Sequence, residues 1–174
     1  MWHNSNMISF KDPSHRLSGE DIKKILQKCK LCYKMISNGK YICSPSDIIF
    51  LLLPRSKKIA IILNTHDHWL CLLIFNNRIC LIVDSICEVQ NWPEVMQKIA
   101  FFCKRNGLKR YLYNSRFQTS QSQVCGSLVC FMIFKFSVLS FLGFLKLRKA
   151  FCSNCISSTE RAIMRSVQNH FHLN

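Results

Sequence analysis

Acidic side chains are scarce in this chain, and unevenly so. Asp and Glu number 9 against 24 Lys and Arg, a formal net charge of +15 with a pI near 9.6. Between Glu94 and Glu160 there is no acid at all, while Lys98, Lys104, Arg105, Lys109, Arg110, Arg116, Lys135, Lys146, Arg148 and Lys149 fall within that span. Solubility asks for a net charge of only roughly 2–8 on a small domain. The excess points to a polyanion, bound without regard to sequence and sensitive to salt; a solvated basic surface is the plainer reading. Also missing is an apolar run long enough to cross a bilayer. The most apolar region, 124–147, is cut by Lys135 into stretches of 10 and 9 residues (125–134 and 136–144), with Ser137, Ser140 and Gly143 interspersed. A span takes about 20 mostly apolar residues, so the region reads as a buried core helix and no membrane is expected as a partner.

The first residues, Met1 to Asn6, lack the basic-then-apolar pattern of an export signal. Without one, 11 cysteines argue for a reducing, intracellular setting and free thiols; the odd count also cannot close into a full set of disulfides. No internal repeat, low-complexity tract or interdomain linker is visible. At 174 residues and 49% hydrophobic, the chain reads as one domain with a core that needs neither disulfide nor metal.

Residues 1–17 read as a polar arm. Ser18 with Asp21 is a capping-box start for a helix carrying Ile22, Ile25, Leu26 and Cys29 at helical spacing, with Asn38-Gly39 as a turn. Ser44-Pro45-Ser46-Asp47 starts a short apolar helix, Ile48 to Leu53, stopped by Pro54. Three strands are expected next: Lys58 to Leu63, Trp69 to Phe75 and, after the tight turn Asn76-Asn77, Arg78 to Val83. They are apolar on both faces and so should lie centrally, covered by helices. Pro93 opens a helix ending near Gly107, Leu108 to Tyr113 is a further strand, and Ser115 to Gln123 is a polar loop before the helix that begins at Cys125. Ser158-Thr159-Glu160 starts a last helix with Ile163, Met164 and Val167.

Within this frame stands an ordered set: His68 followed by Trp69, Asp84 closing an apolar run, Gln118, and Cys125 followed by Gly126. A cysteine at a helix start meets unpaired backbone N–H groups and the positive end of the helix dipole, which favour thiolate. A neighbouring imidazole takes its proton, and Asp84, one hairpin strand away, can fix that ring's tautomer. Gln118, seven residues before Cys125, can aim an amide N–H at a developing oxyanion, with the backbone N–H of Cys125 completing the hole. Taken singly, each has a plain alternative: a core thiol for Cys125, a packed strand residue for His68, an ordinary turn for Asp84-Ser85, and competitors Gln121 and Gln123 for Gln118. Together, in this order, they read as a thiol hydrolase.

The set resembles the adenovirus-type cysteine endopeptidases (the adenain family), of the same clan as the SUMO-specific proteases. The resemblance rests on Ser44-Pro45 ahead of an apolar helix, His68-Trp69 opening a strand, the hairpin to Asp84, Gln118 before Cys125-Gly126, and Val129-Cys130-Phe131-Met132, and it spans roughly residues 18–145. It implies an α+β fold with a central mixed sheet flanked by helices, and cleavage of virion precursor proteins in the virion and host nucleus. It further implies non-specific DNA binding, for which Lys104, Arg105, Lys109, Arg110 and Arg116 are the candidate residues, and activation by a short viral peptide; no other cofactor is implied. Asp84-Ser85 stands where adenain usually has Glu-Pro and is closer to the SUMO-protease side. The cysteine that joins adenain to its activating peptide has no clear counterpart. Residues 146–174 form a basic, helical C-terminal extension beyond the resemblance. Two other readings stay open: an isopeptidase acting on a ubiquitin-like modifier, and a non-enzymatic basic DNA-binding protein of a virion core. Cys29/Cys32 with Cys152/Cys155, and His66/His68 or His170/His172, are weak metal patterns; free side chains are expected and no metal is assigned.

Overall fold

The computed structural model describes residues 16–65 and 67–171. The chain runs α1 (Gly19–Gln27), α2 (Lys30–Met35), β1 (Ile42–Cys43), α3 (Pro45–Ile48), β2 (Lys58–Asn64), β3 (Trp69–Phe75), β4 (Ile79–Val83), a 3₁₀ turn (Val89–Asn91), α4 (Pro93–Arg105), β5 (Lys109–Leu112), α5 (Cys125–Val138), α6 (Phe141–Ser153) and α7 (Ile156–His170). The five strands lie in the order β1-β2-β3-β4-β5. The β2/β3 and β3/β4 pairs are antiparallel, and the outer pairs β1/β2 and β4/β5 are parallel. This is the mixed central sheet of an α+β fold.

Strand residues alternate between two cores, as the pleat requires. Ala60, Ile62, Trp69, Cys71, Leu73, Leu81 and Val83 face α1, α2, α5, α6 and α7. Ile59, Ile61, Leu63, Leu70, Leu72, Ile74, Cys80 and Ile82 face α3, the 3₁₀ turn and α4. Helices on both faces explain why these strands carry almost no polar residues. The β3/β4 hairpin turns at Asn76-Asn77, both at positive φ (52° and 51°), the pair of left-handed residues a two-residue turn needs.

The region 124–147 is two helices. α5 ends at Val138, Leu139 is extended (ψ 150°), and Ser140 caps α6 by accepting from the Gly143 N–H at 3.1 Å. α5 is buried on every side from Cys125 to Ile133, which makes it the helix about which the larger core is built. No helix among the described residues is long and apolar enough to cross a membrane. α6 and α7 place Phe144, Phe151, Ile163, Val167 and Phe171 in the same core as α5.

Three expectations need correction. The helix expected over Ile48 to Leu53 is instead the four-residue α3, with the expected capping box from Ser44 and Asp47. A turn follows, with the Phe50 and Leu51 N–H groups donating to the Asp47 and Ile48 carbonyls, and other partners then take over: Arg105 Nη1 donates to the Ile49 carbonyl, Asn106 Nδ2 to the Leu51 carbonyl, and the Leu53 N–H to Asn106 Oδ1. Phe50 and Leu52 are left 72% and 65% exposed. The first helix stops at Gln27, and Cys29 becomes the N-cap of α2 rather than a residue on the face of α1. The last helix starts two residues before Ser158, with Cys155 as N-cap. Residues 1–15, most of the expected arm, and His66 and His172 lie outside the described residues.

Candidate active site

The topology brings three chain segments to one end of the sheet. The register Cys71↔Val83 sets the start of β3 beside the end of β4, so His68 and Asp84, one residue outside each strand, meet there. β5 runs parallel to β4, so the chain leaving it at Tyr113 emerges at that same end and continues through the loop 114–124 into the N-terminus of α5.

His68 Nε2 donates to Asp84 Oδ1 at 2.7 Å. The carboxylate is anchored by three backbone N–H groups as well: Ile86 to Oδ1 at 3.2 Å, Glu88 to Oδ2 at 2.7 Å and Val89 to Oδ2 at 2.8 Å. Burial on its own would raise the Asp84 pKa, but the imidazole bond, its charge and these N–H groups hold it below the usual carboxylate range. With Nε2 committed to Asp84, Nδ1 is the nitrogen left to interact with the Cys125 thiol, whose charge raises the imidazole. The edge of the Trp92 ring packs on the imidazole, centroids 5.9 Å apart at 71°.

Burial would likewise discharge both members of the Cys125–His68 pair, and their mutual contact outweighs it. The Cys125 thiol is pushed below its ordinary value by the imidazole bond and charge, the Trp69 backbone N–H and the Arg16 charge. His68 is raised to about 9 by Asp84 and Cys125 against the pull of burial. Both shifts favour the thiolate–imidazolium form of the pair. Elsewhere in the core the opposite holds: burial raises Cys32, Cys71 and Cys130.

The N-terminus of α5 has no side-chain cap, its N-cap being Val124, so its first N–H groups are not taken by a capping oxygen. Gly126 lets the N-terminal segment close over this helix start: a Cβ there would lie 3.0 Å from Leu17 Cβ and 3.3 Å from Ile22 Cδ1. Trp69 Nε1 fastens the same segment through the Leu17 carbonyl at 2.8 Å.

Gln118 is buried in the loop that feeds α5, and both its amide atoms are held. Ser85 Oγ donates a short hydrogen bond to Oε1, and Nε2 donates to the Ser122 carbonyl at 2.8 Å. The Ser85 carbonyl in turn accepts from the N–H groups of Phe117 and Gln118. Gln121 and Gln123 are exposed. A groove of about 1040 Å³ opens beside His68, lined by Ser44, Asp47, Asn64, Trp69, Trp92 and Glu94 among others.

Of the basic candidates, Lys104 and Arg105 end α4 while Lys109 and Arg110 lie on the edge strand β5, all exposed. Arg116 stands apart from them. It is exposed, and its Nε donates to the Gln118 carbonyl at 3.3 Å, so it belongs to the loop of the candidate site. Among the described residues no group of three or more His, Cys, Asp or Glu could hold a metal ion. Sequence reasoning missed Ser85, Trp92 and Glu160. Ser85 was legible only as half of a dipeptide, and the other two join the site through tertiary contacts.

The fold, a mixed five-stranded sheet flanked by helices, is one that solved proteases share. Among solved structures the chain is similar to a de-sumoylating protease (TM-score 0.53, 13% identity, covering 97% of this chain and 86% of that one). It is also similar to the ASFV pS273R protease (TM-score 0.50, 14% identity, covering 95% of this chain and 70% of that one). No family model and no curated protein sequence matches the chain.

Proposed function

We propose that the chain is a cysteine endopeptidase that cuts virion precursor proteins, with Cys125 as nucleophile, His68 as general base and acid, Asp84 as the group that orients His68, and Gln118 as oxyanion donor. The observation that carries this reading is the buried contact series Cys125–His68–Asp84, with its 2.7 Å imidazole–carboxylate bond. The thiolate adds to the scissile carbonyl, and the oxyanion is met by the Cys125 N–H and the free N–H of the Gln118 amide. His68 then protonates the leaving amine, and water, deprotonated by His68, releases the acyl group. The substrate chain lies in the groove beside His68. The viral assignment draws on the adenain resemblance and on the ASFV protease among the similar structures.

A second reading is an isopeptidase of a ubiquitin-like modifier. It is favoured by Asp84-Ser85 and by the fold likeness to a de-sumoylating protease. Purified protein offered candidate precursor proteins in parallel with fluorogenic modifier C-terminal amides separates the two. Cutting of the precursors alone supports the first reading, and turnover of a modifier amide the second. Cys125→Ala abolishes either activity and leaves the fold intact; wild-type turnover in that variant removes the hydrolase assignment. DNA association through Lys104, Arg105, Lys109 and Arg110, activation by a short viral peptide, and residence in the virion and host nucleus complete the proposal.

A further inference from the structure

Glu160 is the first acid after Glu94, and it is 9% exposed on α7. Its Oε2 accepts from the Thr119 N–H at 2.7 Å, Thr119 Oγ1 at 3.2 Å and Ser122 Oγ at 2.8 Å. One carboxylate oxygen thus fastens both ends of the turn 119–122. That turn presents the Ser122 carbonyl to Gln118 Nε2. Of the two groups holding the Gln118 amide, Ser85 carries a hydroxyl that can donate or accept, whereas a carbonyl can only accept. The Ser122 carbonyl therefore decides which end of the amide is NH₂. A buried carboxylate is a costly way to join a helix to a loop, since apolar contact would serve packing at lower cost. What it adds is short, charge-assisted bonds that fix the turn's geometry.

We propose that Glu160 is a positioning residue for the oxyanion donor, acting through Ser122 on Gln118, so that α7 is part of the catalytic apparatus. The inference rests on the hydrolase reading above. Its test uses two reagents on the full chain, with modification of Cys125 followed by peptide mass mapping. p-Nitrophenyl acetate reacts by addition of the thiolate to the ester carbonyl and expulsion of p-nitrophenolate, so it needs an oxyanion hole. Iodoacetamide reacts by displacement of iodide and needs none. Glu160→Gln should slow acylation of Cys125 by about tenfold or more while leaving its alkylation rate unchanged, and should slow nothing further in the Gln118→Ala background. Ser122→Ala, which removes one donor at the surface of the turn, should shift acylation in the same direction if Glu160→Gln folds poorly. Equal slowing of both reagents, the same slowing with and without Gln118, or unchanged acylation in both variants would overturn the proposal. Wild-type Cys125 alkylating no faster than the core thiol Cys130 would instead overturn the hydrolase reading, and the role of Glu160 with it.

Discussion

Folding pushes the His68 imidazole up and the Cys125 thiol down, and the pH behaviour of the site follows from those two shifts. Hydrolysis should rise as the Cys125 thiol ionises, below the usual thiol value of 9.0. It should fall again near about 9, where His68 loses the proton the leaving amine requires. The stability contributed by His68 is complete below its unfolded value of 6.5 and is lost as pH rises through about 9. That of Cys125 is complete above 9.0 and is lost as pH falls through its lowered folded value. Across the shared window the folded pair and the unfolded pair each hold one proton, so the two slopes cancel. Thermal unfolding should give a Tm with little pH dependence across that window, and a steady decline there would mean that the folded pair keeps both protons, with His68 charged beside a thiol that has not ionised. Asp84→Asn cannot accept all four donors that now converge on its carboxylate, and should slow turnover by about 10²–10⁴-fold by misorienting His68. Gln118→Ala should lower kcat by about 10²–10³-fold, well beyond Gln121→Ala or Gln123→Ala, whose side chains are exposed. Thiol labelling needs one precaution. Cys155 is exposed, and hydrogen bonds from Ser157 lower its pKa too, so it competes with the 2%-exposed Cys125 for iodoacetamide. In a Cys155→Ser background Cys125 should label first.

At the scale of elements, α5 is held from both ends by residues distant in sequence. Lys58, the first residue of β2, reaches its C-terminus and donates Nζ to the carbonyls of Phe136 (2.6 Å), Ser137 (3.3 Å) and Leu139 (2.7 Å). The cation satisfies carbonyls that a helix end leaves orphaned and offsets the negative end of the dipole. Lys58→Met should cost about 2 kcal/mol, a fall in Tm of roughly 4–8 °C, with the catalytic groups in place. A Tm within a degree of the parent would count against this cap. The same scale shows what sequence could and could not disclose. The hairpin was legible because an unbroken β-branched pattern and Asn-Asn state strand and turn locally, and so were the helix starts at Ser18, Pro93 and Cys125. β1 was not, since its two residues owe their conformation to parallel pairing with Ile62 and Leu63. The segment after Ile48 was misread because Arg105 and Asn106, more than fifty residues away, take its backbone groups. His68, Asp84, Gln118 and Cys125 could be named from residue type and order; Glu160 could not, because only the packing of α7 brings it to the 119–122 turn.

Over the whole molecule, four of the basic candidates fall on α4 and β5, outside the segments that carry His68, Asp84, Gln118 and Cys125. Lys104, Arg105, Lys109 and Arg110 cluster where α4 passes into the edge strand β5, with Arg116 set apart on the loop beside the candidate site. If that edge meets duplex DNA, affinity should fall with salt by about 0.9 in log–log slope for each phosphate neutralised. The four residues changed together to Gln should flatten that slope for any duplex sequence, with peptide cleavage in the absence of DNA largely spared by screening. Fluorescence anisotropy over a salt series measures it, and an unchanged slope would move the DNA face elsewhere.

α5 has a consequence of another kind. Over Cys125–Ile133 this helix has no solvent-facing surface along which to fray, so the amides of that stretch should exchange with deuterium only when the entire domain opens. The sulfur sits on the first turn of that helix. Loss of activity in urea should therefore coincide with global unfolding, instead of preceding it as happens when a reactive group rides on a pliant surface loop. A protein of this design keeps that sulfur in register for as long as it keeps its shape.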